Sequence, residues 1–184
     1  PFATNRNDKM KYSFSGLNTS TKKRAVSSEA IQAILTVQMK HTDKTALALD
    51  IFTFSYYCHA INFIDIAFLK NKNISDGKLS YIRRKTHEPS GNIVLNSEAI
   101  RIMSKYNYDS SKPDEYIFPI LNDEIHKTEQ QKYTRVKTVS KLVNSGLKSI
   151  ANNSGLKGYR LTMYVGRHTL ATELLRNDTP APVI

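Results

Sequence analysis

The chain has one cysteine, Cys58, so it can form no internal disulfide and a secreted, disulfide-stapled scaffold is excluded. It also lacks a long uninterrupted hydrophobic run. The most apolar stretch, Ala46 to Leu69, is broken by Asp50, His59, Asn62 and Asp65, which a bilayer core would not accept, so it reads as two buried helices and no membrane partner is expected. No basic and apolar leader stands behind Pro1, and the chain is expected to be a piece of a longer, cytosolic protein. Acid is scarce: 16 Asp and Glu stand against 27 Lys and Arg, a formal charge of +11, which makes a polyanion the leading partner. With 184 residues, 40% of them hydrophobic, the chain can bury a core, and disordered, collagenous and low-complexity classes are excluded.

Residues 1–23 are polar and aperiodic and read as a linker or arm; the domain is expected over 24–184. Ser27 or Ser28 can cap a first helix carrying Ile31, Ile34 and Leu35. Further helices are expected from about Lys44 through Tyr57, from about Asn62 to Leu69, and from Ser97 through about Tyr106. A fifth, long one is expected from near Glu129 to Asn152, and a last from about Thr162 to Arg176. In the long helix Val136, Val139, Val143, Leu147 and Ile150 share one stripe, and Lys137, Lys141 and Lys148 share another. Between the helices, Lys78 to Lys85 and Asn92 to Leu95 read as two strands of a hairpin, and Tyr116 to Leu121 as a short apolar knot. The fold class is mainly α with one small β-hairpin or sheet.

Three segments carry chemistry. No acidic residue lies between Glu129 and Glu173, whereas Lys132, Arg135, Lys137, Lys141, Lys148, Lys157, Arg160 and Arg167 all do. Such a run is either a solvated helix face or a surface that tracks phosphates. Arg83, Arg84 and Lys85, followed by Thr86, put three cations in a row near the hairpin tip. They either guard a sheet edge against strand addition or carry a lysine to a phosphate. Finally, Arg167 and His168 sit on an otherwise apolar helix beside the small residues Gly166 and Ala171. The arginine is expected to be half-buried and to need an anion or acceptors, and His168 to be a core histidine bonded to backbone.

Several spaced blocks, in order, resemble the tyrosine recombinases, or phage-type integrases: residues 21–27 (TKKRAVS), 52–57 (FTFSYY), 63–69 (FIDIAFL), 81–86 (YIRRKT) and 164–169 (YVGRHT). The resemblance covers roughly Lys22 to Ile184 and is nearest to integrases of mobile elements from anaerobic gut bacteria. It implies the catalytic-domain fold of that family, and an enzyme that cleaves and rejoins double-stranded DNA through a 3′-phosphotyrosine with no metal or other cofactor. It also implies a bacterial, nucleoid-associated protein that assembles as a tetramer on its attachment site and is monomeric when free.

Carried over by position, the resemblance makes Lys85 the acid that protonates the leaving 5′-oxygen and Arg167 a clamp on the non-bridging oxygens. Arg83, Arg84, Thr86, Lys137, Lys141 and Arg160 become the DNA contacts. Three departures accompany it. The family's first arginine falls at Asn62, three residues before the acid Asp65; His59, one turn earlier, either supplies part of the missing charge or is a capping or core histidine. Tyr164 stands where the family often has histidine, and a phenol can still donate to phosphate. The Gly-His block and the nucleophilic tyrosine are expected beyond Ile184. A protein of the same fold that only holds DNA is the alternative.

Overall fold

Capping side chains and apolar spacing set the helices. The structure, a computed structural model, describes residues 27–37, 45–155 and 161–176. The expected arm over 1–23 lies outside them, as do Lys157 and Arg160. Ser27 Oγ accepts the Ala30 N–H at 3.3 Å and opens α1 (Ser28–Leu35), which buries Ile31 and Ile34. Next comes α2 (Ala46–Tyr57), apolar on nearly every side, as a helix at the centre of a core must be. Leu49, Ile51, Phe52 and Phe54 are all buried, and so is Cys58 just past its end, where burial pushes the thiol up to about 12. On α2 pack α3 (Phe63–Ala67), α4 (Ser97–Ser104), α5 (Glu129–Asn153) and α6 (Met163–Arg176). The Tyr116 to Leu121 knot closes the core from one side, with Phe118 edge-on to Phe54 at 5.0 Å between ring centres. The one acid inside α2, Asp50, accepts from Lys105 Nζ at 2.8 Å and from the Tyr106 hydroxyl at 2.9 Å.

α5 starts at a reciprocal cap: Thr128 Oγ1 accepts the Gln131 N–H at 3.2 Å, and Gln131 Oε1 accepts the Thr128 N–H at 3.0 Å. Its apolar stripe is as the spacing predicts, with Val136, Val139, Val143, Leu147 and Ile150 buried and Lys137, Lys141 and Lys148 exposed. Two glycines let α5 and α6 come close to α2. A Cβ on Gly146 would lie 2.8 Å from Ala48 Cβ, and one on Gly166 would lie 2.7 Å from Phe52 Cε2. The Phe52 ring is fully enclosed and has nowhere to retreat. Gly166→Ala is therefore expected to lower stability by about 1–3 kcal/mol through overpacking, read as a lower urea midpoint at unchanged m. Trimming the ring with Phe52→Leu in the same chain should return part of the loss, which a purely local helix effect would not do.

The β region differs from the expected two-stranded hairpin. Three two-residue strands, β1 (Ile74–Ser75), β2 (Lys78–Leu79) and β3 (Ile93–Val94), form one antiparallel sheet in the order β1-β2-β3. The extra strand comes from a tight turn at Asp76 and Gly77, both left-handed (φ 51° and 68°), the backbone that an Asp-Gly pair favours. Beyond β2 the chain leaves regular strand but stays paired. Ser90 N–H donates to the Tyr81 carbonyl at 2.8 Å and Arg83 N–H to the Glu88 carbonyl at 2.9 Å, with an isolated bridge between Ile82 and Pro89. Arg84, Lys85 and Thr86 thus sit at the tip of a projecting ribbon, closed by His87 at φ 58°. Among the described residues no helix is long and apolar enough to cross a membrane.

Candidate functional site

Four stretches of the sequence line one cavity of about 700 Å³: the start of α3, the ribbon tip, and the facing sides of α5 and α6. Of the residues singled out from the sequence, Asn62, Arg83, Lys85, Thr86, Lys137, Tyr164 and Arg167 line it. A second hollow of about 360 Å³ adjoins it and shares Asn62, Phe63, Ser140, Tyr164 and Arg167. Arg167 therefore stands where the two meet. Its carriage is local: α6 brings it beside the close approach at Gly166, and Nη1 donates to the Ala60 carbonyl at 3.3 Å. The side chain is half-buried, as expected for an arginine on an apolar helix.

Among the described residues four cations and a single carboxylate line the larger cavity, so its field there is positive. The carboxylate, Asp65, is itself nearly inaccessible, and its Oδ1 accepts the Arg84 N–H at 2.9 Å, tying the ribbon tip to α3. Burial pushes the Asp65 carboxyl above its usual range, opposed by the Arg84 N–H, by the Arg83 and Arg167 charges and by the Asn62 side chain.

The remaining candidates lie elsewhere. Arg84 faces away from the cavity: its guanidinium lies 3.8 Å from the Phe68 ring centre and pairs with Glu129 at 3.0 Å. Its charge is thereby matched within the chain by an ion pair. His59 is exposed and lines neither hollow; it and Ala60 are left-handed (φ 55° and 53°), and this segment reaches Arg167 through the Ala60 carbonyl, not through the imidazole. Lys141 is exposed on α5 but outside the lining, and Arg160 falls outside the described residues.

The basic interval is also less uniform than its composition. Lys132 pairs with Asp123 at 2.7 Å, an acid that Lys70 also holds at 2.8 Å, so its carboxyl stays well below the usual range. Arg135 donates to the Ile120 carbonyl at 3.1 Å. For His168 the structure shows one ring nitrogen without the expected bond: among the described residues Nε2 is buried with no hydrogen-bond partner, and the ring packs edge-on against Tyr164 at 4.0 Å between centres.

Sequence reasoning missed Tyr133, which lines the cavity and is 57% exposed. It lies one helical turn before Lys137, so the i, i+4 spacing that puts both on one face was available. Ser140 and Asn144 continue the same face toward the smaller hollow. The arrangement offers bidentate and point-charge donors to a phosphate, beside an apolar wall of Phe63, Ile64 and Val136. Compared with known protein families, characterised proteins and solved structures, the chain matches none.

Proposed function

We propose that this chain is the catalytic domain of a site-specific DNA recombinase of the tyrosine type. The observation that supports it most is the convergence of Lys85, Tyr164 and Arg167, from the ribbon and α6, on one positive cavity. Positions matched by sequence resemblance alone had no need to meet in space. On this reading Arg167 holds the non-bridging oxygens of the scissile phosphate, with Tyr164 beside it. Lys85 delivers a proton to the departing 5′-oxygen as a tyrosine hydroxyl attacks phosphorus. Arg83, Thr86 and Lys137 hold the neighbouring backbone. The duplex is the only partner needed, the active form is a tetramer assembled on it, and no metal or nucleotide takes part.

A binding module that holds DNA without cutting it is the second reading, and one observation favours it. Asn62, an amide, occupies the position of the family's first arginine, and His59 lies outside both hollows. Two measurements separate these readings from each other and from a partner that is not DNA. If about six phosphates are contacted, log affinity for duplex DNA falls with log salt at a slope of roughly −5; salt-independent binding, or none at low salt, rejects both. A nicked suicide duplex that accumulates a covalent adduct with the chain in its natural flanking sequence supports the recombinase, whereas salt-dependent binding without any adduct leaves the binding module.

A further inference from the structure

The two hollows run end to end along one face of α5, from Tyr133 through Lys137 and Ser140 to Asn144, about 16 Å of helix at 1.5 Å per residue. Together they form a groove with Arg167 near its middle. Its chemistry is divided. The cations suit phosphate, but Phe63, Ile64 and Val136 and the face of the exposed Tyr133 ring, its hydroxyl apart, offer nothing to phosphate. Apolar wall is worth covering only by an apolar group, and in a stacked duplex the base faces are already covered by their neighbours. A ligand that presents a phosphate and a free π-face side by side is a nucleotide that has left the stack.

We propose that the groove takes an unstacked nucleotide of a DNA strand, its phosphate at Arg167 and its base laid against Tyr133 and the neighbouring apolar wall. This rests on the cavity being a DNA site and adds to it a preference for locally opened strand. Charge complementarity supports this occupant: Arg83, Lys85, Lys137 and Arg167 surround the groove against the one buried carboxylate of Asp65, which its contact with the Arg84 N–H already engages. The mode of recognition is the one that proteins use for single strands, a basic track with an aromatic platform, in which every base can stack and sequence matters little.

The test uses the chain as it stands and a thymidine oligomer of about eight nucleotides, within the usual range of single-strand site sizes. Its partner is the same oligomer with abasic residues, equal in phosphates and lacking bases. The chain contains no tryptophan, so Tyr133→Trp places a single indole reporter at the platform. Expected are about tenfold tighter binding of the thymidine oligomer than of the abasic one, quenching of the indole by the former alone, and loss of the difference in Tyr133→Ala. Tyr133 is more than half exposed, so these substitutions leave the core untouched.

Equal, salt-dependent binding of both oligomers overturns the stacking site while leaving the DNA reading standing. Binding of neither these oligomers nor duplex overturns both. Indole emission already blue-shifted in the free protein and unmoved by the oligomer shows that the chain itself covers the groove, and also overturns the proposal.

Discussion

On the proposed recombinase reading, Arg167→Ala, made in the chain with its natural flanking sequence, is expected to slow strand cleavage by at least about 10²- to 10³-fold, the usual cost of removing a preorganised donor from a developing charge. The structure gives the reason for so large an effect at one side chain. Arg167 sits at the junction of the two hollows, half-buried, and among the described residues its one hydrogen bond to protein is from Nη1 to the Ala60 carbonyl. A guanidinium carries five N–H donors, enough to serve that carbonyl and an anion together. Arg167→Lys should fail almost as badly, because a lysine at that place restores the charge but not the two parallel bonds. Affinity should change far less, with the salt slope falling by about 1, the value for one lost phosphate contact. Single-turnover rates on a suicide duplex and binding at two or more salt concentrations measure both quantities. A lysine variant within about tenfold of wild type would show that Arg167 acts as a charge and not as a clamp.

Lys85→Ala should give the second large effect, about 10²- to 10⁴-fold on cleavage of an ordinary phosphodiester, the range for a lost general acid. The mechanism makes a sharper demand than the rate. A 5′-bridging phosphorothiolate expels a thiolate that needs no proton, so Lys85→Ala should cleave it nearly as fast as wild type does. No recovery on the sulfur substrate would reduce Lys85 to a phosphate contact. Arg84→Ala is the internal comparison: Arg84 adjoins Lys85 but is held over Phe68 and against Glu129, away from the cavity. Its loss should loosen the ribbon without the sulfur-specific signature.

The helices were legible because their signals are local. Apolar residues three and four apart in α5, and the unbroken apolar character of α2, reflect a single burial geometry repeated along each helix. The sheet was half legible. Lys78, Leu79, Ile93 and Val94 pair as the sequence pattern implies, but β1 depends on the Asp76-Gly77 turn, a short-range signal that the alternation of apolar residues does not carry. Three consecutive cations at the ribbon tip carry no periodicity, so sequence could not say which one faces inward. That is decided by Phe68, Glu129 and Asp65, residues distant in the chain that engage Arg84 by ring, charge and backbone. Lys85, Tyr164 and Arg167 were named through resemblance to a family, and only their meeting around one cavity is a property of the structure. Tyr133 is not legible in the sequence because an aromatic on a polar helix face looks incidental until its neighbour Lys137 is known to border a groove.

The close approaches at Gly146 and Gly166 have a consequence for how the groove can vary. Both α5 and α6 are seated on the same helix, α2, one through Ala48 and the other through Phe52. The separation of Lys137 from Arg167 is thus gauged from inside the core, by two contacts in which the α5 and α6 residues are glycines with no side chain to adjust. Exposed residues along the groove can drift, altering what is gripped and how tightly, while the gauge between the two helices stays set.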